Sequence, residues 1–434
     1  MPLAQVLYRS LLRGLRVVSP AIAWGSSKIS RGLRGRRRTH RTLIEWGERR
    51  RDPGRPTIWL HASSVGEALQ ARAVLDALRE RSPRLQAVLT FFSPSAEEMA
   101  GRFPADASAY LPWDLPEVVG KVLDAVRPAL IVFTQKEVWP SLAAGAAERG
   151  VPTALVAATL SAESGRLSPY GRALLGPAFR GLERVAAISA DDGERFGLLG
   201  VPRDRIVVTG DPGVDSASGR AGAADPAAPH LRLFGDVTGP VLVAGSTWTS
   251  DEKVLIPALA RVRRHRPDLR VVVAPHEARG WDFEGLRSRL SADGWSPVLL
   301  KEAESRGGLD GADAVLVERV GVLAELYTVA SVAYVGGGFH GHGLHSVLEP
   351  AAAGVPMLFG PRHRSSLAAS HLLERGGART VSDVDALVAA LEEWLADPAK
   401  RERDGRRALE YIGEHRGAAG RTAELLVDCL VRQT

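Results

Sequence analysis

From residue 57 onward, short β-branched runs alternate with longer stretches in which apolar positions recur at helical spacing. The runs at 57–61, 86–92, 129–134, 153–159, 185–189 and 205–210 read as strands, with helical patterns such as 67–79 and 116–126 between them. This is the signature of βαβ units on a parallel sheet. After a stretch at 216–240 rich in Ala, Gly and Pro, which reads as an interdomain connection, the alternation resumes. Strands are predicted at 241–245, 270–274, 314–317, 332–335 and 356–359. Two open α/β domains would place ligands at the carboxyl ends of their strands, facing a cleft between them.

Ahead of residue 57 the pattern is different. At about 100° per residue, Arg9, Arg13 and Arg16 share one arc of a helix while Leu7, Leu11, Leu12, Leu15 and Val18 gather on the other. The arginines interrupt the apolar stretch that a cleaved signal sequence needs, and the length with Pro20 suits a helix lying in a membrane interface. On pattern alone a helix packed on the body with a solvated basic face fits equally well. Nucleic acid is the weaker partner, because the segment lacks interleaved aromatics and a reader motif.

Charge sharpens that picture. Residues 1–51 hold thirteen Lys/Arg against Glu45 and Glu48, a net +11 in a chain whose total is +6, so the remainder is −5. A basic end on a mildly acidic body points to an anionic partner there. The 434 residues are too many for one ordinary core, and 45% hydrophobic with 24% charged residues excludes a mainly disordered or fibrous chain. A lone cysteine, Cys429, excludes a disulfide framework and a cysteine-based zinc site. No apolar run approaches the ~18–20 residues of a spanning helix.

Polar residues and glycines cluster where the strands end. Glu67 opens a helix after His61-Ala-Ser-Ser-Val-Gly. It suits a base that takes a proton from an alcohol, but the pattern alone fits better a capping box in which Ser64 and Glu67 satisfy each other's backbone N–H groups. Gly336–Gly338 would let backbone approach a ligand, Ser346 would open a helix able to hold a phosphate, and Glu349 would meet a ribose diol; the alternative is a tight turn without ligand. His340, His342 and His345 lack the carboxylate or cysteine pattern of a metal site. Asp383 and Asp385 read as acids at a helix start. Trp113, Trp139 and Trp248 sit beside candidate sites, with packing as the default.

Taken together, His61-Ala-Ser-Ser-Val-Gly-Glu67, Tyr110-Leu-Pro-Trp-Asp-Leu-Pro116, Glu137-Val-Trp-Pro140, Leu160-Ser161 with Arg166-Leu-Ser168, and His345-Ser-Val-Leu-Glu-Pro-Ala-Ala-Ala-Gly354 resemble the 3-deoxy-D-manno-octulosonic acid (Kdo) transferases of lipid A biosynthesis, over almost the whole chain. The resemblance implies an α/β GT-B fold with two Rossmann-like domains, an interdomain cleft and an N-terminal basic amphipathic helix. Its expected boundaries are a membrane-interface segment at 1–51, an acceptor domain at 52–225 and a CMP-sugar domain at 226–434 whose last helix packs back on the first. It implies inverting, metal-independent transfer of Kdo from CMP-Kdo, a substrate with no cofactor beside it, to a glucosamine 6-hydroxyl of a lipid A precursor. Glu67 would be the general base and Glu137 a transition-state support. The CMP contacts map to Pro275 and His276, to Val320, Gly321 and Val322, and to Ser346, Val347, Leu348 and Glu349. Ser246 and Thr247 join them from position alone. The expected setting is the cytoplasmic side of the inner membrane, on an anionic lipid surface. Three positions depart from the family: Gln135 and Lys136 replace a Glu-Thr pair, Gly213 replaces a basic residue whose charge Lys136 or Arg166 would supply, and Ser346 replaces an asparagine. Another GT-B transferase with a different nucleotide sugar, and a noncatalytic membrane-associated relative, are the competing readings.

Overall fold

In the computed structural model, which describes residues 3–25 and 28–431, the chain forms two units. One comprises Met1–Ser216 with Arg416–Thr434, the other Ala217–His415. The first is built on β1 (Thr57–His61), β2 (Gln86–Phe91), β3 (Ala107–Tyr110), β4 (Leu130–Thr134), β5 (Thr153–Ala158), β6 (Arg184–Ala187) and β7 (Ile206–Val208), all parallel, in the order β3-β2-β1-β4-β5-β6-β7. Both faces are covered, which is why the central strands are continuous apolar runs without alternation. Trp59, Val88 and Phe133 point into one core layer; Ile58, Leu60 and Leu89 point into the other.

The second unit repeats the plan with β8 (Val241–Thr247), β9 (Arg270–Pro275), β10 (Pro297–Leu299), β11 (Ala314–Leu316), β12 (Val332–Val335), β13 (Met357–Phe359) and β14 (Ala378–Thr380), again all parallel, ordered β10-β11-β9-β8-β12-β13-β14. Its core is filled by Tyr334, Trp394 and the aliphatic residues around them. The stretch read as a plain connection is partly helical instead, with helices at Pro212–Gly222 and Pro229–Arg232. Alanine is the best helix former, and each of these helices begins on a proline, the position where a missing N–H costs nothing.

Helix α1 (Leu3–Ile22) and helix α2 (Lys28–Arg49) precede the first sheet. Leu43 and Trp46 of α2 enter the core layer beneath Trp59. Of the leucine arc on α1, only Leu12 packs inward; Leu7, Leu11, Leu15 and Val18 are exposed, Leu11 by 71%. The residues between α1 and α2 include Trp24, exposed by 88%. Among the described residues no helix is long and apolar enough to cross a membrane. At the other end of the chain, the helix Ala418–Val431 returns to the first unit. There Ala423, Leu426 and the buried Cys429 join Val74 and Leu75 of α3 (Val65–Arg81). Asp215 fixes its start by accepting the Gly417 and Ala419 N–H groups at 2.6 and 2.7 Å.

Candidate functional site

The first sheet changes direction between β1 and β4 and the second between β8 and β12, with β10 lying outside β11 at its edge, and at such switch points the loops diverge and leave room for a ligand. At the first, β1 ends on His61 and α3 begins after Ser64, whose extended backbone and hydroxyl cap the Glu67 N–H at 3.4 Å. The Glu67 carboxylate turns back, but it accepts the N–H of Ser63 at 2.8 Å, one residue before the partner a capping box would use. Ser64 Oγ donates to its other oxygen at 3.3 Å. Only 6% of Glu67 is exposed, and this burial is the main force raising its pKa to about 7, with help from the nearby charge of Glu137 and against the two serine hydrogen bonds and Lys136. A carboxyl poised there is half ionised near neutrality, as a general base for an alcohol needs to be.

Around it the strand ends form a bonded cluster. His61 is buried between Thr90, Ser63 and Trp139, and Trp139 stacks on Phe92 at 5.4 Å. The Arg36 guanidinium of α2 lies 3.8 Å over the Phe92 ring, and burial lowers its pKa to about 10. After β4, Gln135 adopts a left-handed φ of 58°, and its amide donates to Gln70, which donates to Asp211. Glu137 is bound to Arg166 at 2.7 Å. Gly213, where a basic residue was expected, uses its N–H on Asp211 at 2.7 Å.

The second switch point gathers the residues expected to meet a nucleotide. Ser246, with a left-handed φ of 56°, and Thr247 end β8; Thr247 pairs with Pro275, and the His276 N–H donates to the Thr247 carbonyl at 2.9 Å. Thr247 Oγ1 is buried without a hydrogen-bond partner. Val320, Gly321 and Val322 lead into the helix Leu323–Leu326, whose Leu323 abuts Gly245. The His276 ring stacks on His345 at 4.2 Å, and Trp248 lies between His276 at 4.6 Å and His340 at 4.0 Å while its Nε1–H donates to His345 Nε2 at 2.8 Å. These imidazoles meet ring to ring, and among the described residues no group of His, Cys, Asp and Glu is arranged to hold a metal ion. Glu349 is bound by Arg220 at 2.7 Å. Burial opposes its ionisation, but Arg220 and the Ser346 hydroxyl together hold its pKa below the ordinary value.

At the glycine run neighbouring backbone approaches closely: a Cβ at Gly336 would stand 2.2 Å from the Ser246 carbonyl oxygen, and one at Gly338 2.4 Å from the Gly360 nitrogen. One expectation for this region needs correction. Ser346 does not open a helix. The helix there, Leu348–Ala352, is five residues long and follows Val347, while Ser346 Oγ accepts the Leu348 N–H at 3.3 Å and its hydroxyl serves Glu349.

The sequence model of the family described as "3-Deoxy-D-manno-octulosonic-acid transferase (kdotransferase)" matches residues 36–216. The 3-deoxy-D-manno-octulosonic acid transferase of Bordetella pertussis is 31% identical over 406 residues, covering 88% of this chain and 90% of that protein. The chain belongs to the Kdo transferase family. It is a glycosyltransferase. The Haemophilus influenzae transferase is 27% identical, over 86% of this chain and 87% of its own. Among solved structures, UDP-GlcNAc 2-epimerase from Neisseria meningitidis is similar in fold, with a TM-score of 0.59, 13% identity and coverage of 87% of this chain and all of that one.

The sequence gives no role to several residues that shape this Kdo transferase's candidate sites. Asp251, fully buried, accepts the N–H groups of Trp248 and Gly337 at 2.9 Å each and the Tyr334 hydroxyl at 3.2 Å, tying β8 to the glycine turn after β12. Its signal was an acid in the first turn of a helix, four residues after a strand end. Asp114, also buried, caps the helix Pro140–Ala147 through the Ser141 and Leu142 N–H groups and accepts the Tyr8 hydroxyl at 2.9 Å. Arg220 gave no signal, because its partner Glu349 lies 129 residues away. Asp383 does cap its helix, through the Ala386 N–H at 2.9 Å.

Proposed function

We propose that this transferase moves Kdo from CMP-Kdo to a glucosamine 6-hydroxyl of a lipid A precursor of the lipid IVA type, with inversion at the anomeric carbon and Glu67 as general base. The carrying observation is the buried Glu67 carboxylate at the β1/β4 switch point, its pKa lifted to about 7 by burial. The acceptor hydroxyl gives its proton to Glu67 as its oxygen bonds to the anomeric carbon. The bond from that carbon to the phosphate oxygen breaks, and CMP departs with the electron pair. The Glu137–Arg166 pair supports the reading that Arg166 and Lys136 provide the positive charge that Gly213 does not, with Glu137 holding Arg166 in place. The assignment gives no step to a metal ion.

CMP is assigned to the second unit. Thr247 Oγ1 offers a buried, unused hydrogen-bonding group beside Ser246, Pro275 and His276. The Val320–Val322 loop and the segment Ser346–Glu349 complete the set. Glu349, occupied by Arg220, accepts a ribose hydroxyl with its remaining lone pairs. The setting assigned to the enzyme is the cytoplasmic leaflet of the inner membrane. The exposed leucine arc of α1, with Val17 and Trp24 and the basic residues beside them, supports this, since a helix packed on the body would bury that arc.

Calorimetric titration with CMP, UMP and ADP tests the donor assignment. CMP should bind at least about tenfold more tightly than UMP, because a site built to hydrogen-bond one base leaves its polar groups unpaired with another. Preference for UMP or ADP would replace the donor; CMP binding without any transfer would favour a noncatalytic protein.

A further inference from the structure

His61 closes β1 and is fully buried, yet the mechanism gives its imidazole nothing to do. The protonation of the ring follows from its neighbours. An indole N–H only donates, so His61 Nε2, 2.9 Å from Trp139 Nε1, carries a lone pair. Thr90 Oγ1, 3.1 Å from Nδ1, accepts the Trp59 indole N–H at 2.9 Å and directs its own proton to the Leu60 carbonyl at 3.5 Å, so the hydrogen sits on Nδ1. Ser63 Oγ, 3.1 Å from Nε2, is then the donor of that pair. Burial, reinforced by the charge of Arg36, lowers the pKa of the ring to about 3, so it neither gains nor gives a proton in the working range.

We propose that His61 is a positioning residue of the transfer reaction: its neutral ring, protonated on Nδ1, presents Nε2 as the fixed acceptor that holds Ser63 and Trp139, and thereby keeps the Ser63 amide directed at the Glu67 carboxylate. The inference rests on the assignment of Glu67 as base. Ser63 is the joint. Its hydroxyl is tied to His61, its carbonyl accepts the Ser93 N–H at 2.9 Å, and its own N–H reaches Glu67 Oε2 at 2.8 Å. That last bond favours the ionised carboxylate and opposes the effect of burial. The other groups acting on Glu67 are Ser64 from the same loop and Glu137 and Lys136 from the loop after β4, with Arg166 bound to Glu137; Arg36 of α2 acts on His61. Of these and Ser63, only Ser63 is hydrogen-bonded to the imidazole.

The two nitrogens can be tested separately. Glutamine can place its amide oxygen where Nε2 accepts, whereas asparagine can place its amide N–H where Nδ1 donates and leaves no acceptor for Ser63. The pH dependence of kcat/KM for the glycolipid acceptor is measured on the full chain as wild type, His61→Gln, His61→Asn, Ser63→Ala and Glu67→Gln, with thermal melting of each. Losing an ordered hydrogen bond to a carboxylate raises its pKa, so His61→Asn and Ser63→Ala should move the acid limb up by about one pH unit and lower kcat/KM below neutrality about tenfold. The donor KM should stay within about twofold, and His61→Gln should keep the wild-type limb. Limbs that do not move, with activity tracking melting temperature equally in the Asn and Gln variants, would overturn the proposal and leave His61 as packing. If His61→Asn does not fold, Ser63→Ala decides, and an unmoved limb there overturns it too. A fully active Glu67→Gln would instead remove the base assignment beneath the inference, an outcome separable from failure at His61.

Discussion

Glu67 is held between opposing demands. Burial pushes its pKa to about 7, while the Ser63 and Ser64 donors keep it from rising further. Since the base must be ionised, kcat/KM should climb as pH rises through about 7, the free-enzyme value, and a stopped pH series reads this directly. Glu67→Gln should cost on the order of 10²–10⁴ in rate, the usual range for a lost general base. The same substitution should stabilise the fold at high pH. A carboxyl whose folded pKa is raised above its unfolded value of 4.5 costs nothing when both states are protonated, and destabilises as pH climbs from there to about 7. Melting of Glu67→Gln should therefore exceed wild type at pH 8 and converge with it below pH 4.5. This residue was legible in the sequence in both of its readings, as cap and as base, because glycine turn, serine and glutamate are adjacent in the chain. Arg220 was not, since nothing local marks it, and although His61 stood in the motif before Glu67 and Asp251 in the first turn of a helix, the roles of all three depend on partners from distant segments.

Which elements the sequence revealed follows from where they lie in the sheets. The interior strands are apolar runs covered on both faces and were readable as such. The strands that escaped, β3, β10 and β14, are all sheet edges of three or four residues; β14, Ala378–Thr380, has only one apolar side chain of its three. Helix α2 was readable only as charge, yet it packs closely. A Cβ at Gly47 would lie 2.4 Å from the Ala125 carbonyl oxygen, which is backbone and cannot yield. Gly47→Val should lower stability by about 1–3 kcal/mol through overpacking, measured by urea unfolding. Removal of the carboxylate in Asp251→Ala should cost about 3 kcal/mol or more, because the N–H groups of Trp248 and Gly337 and the Tyr334 hydroxyl lose their shared acceptor. CMP affinity should fall with it, since that carboxylate sets the turn around Thr247; an unchanged titration would separate the two.

Across the whole molecule the charge is divided, with +11 on the first 51 residues and −5 on the rest. The amphipathic pattern of α1 left two readings open, and the exposure of Leu7, Leu11, Leu15 and Val18 supports the membrane-interface reading proposed above. Vesicle flotation should show the protein on anionic phosphatidylglycerol membranes at low salt and released as salt screens the basic residues. Leu11→Asp should abolish flotation without altering melting, because that side chain touches little of the body. The fold, two Rossmann-like units, and the family were both readable from ordered motifs that the strand ends bring to two switch points. The most direct test of the account is mass spectrometry of the glycolipid, together with CMP release, after incubating the purified protein with CMP-Kdo and a tetraacylated lipid A precursor. Addition of Kdo by the wild type and its near-complete loss in a folded Glu67→Gln variant is the predicted result. Equal transfer by both proteins, or CMP binding with no gain in mass, would contradict it.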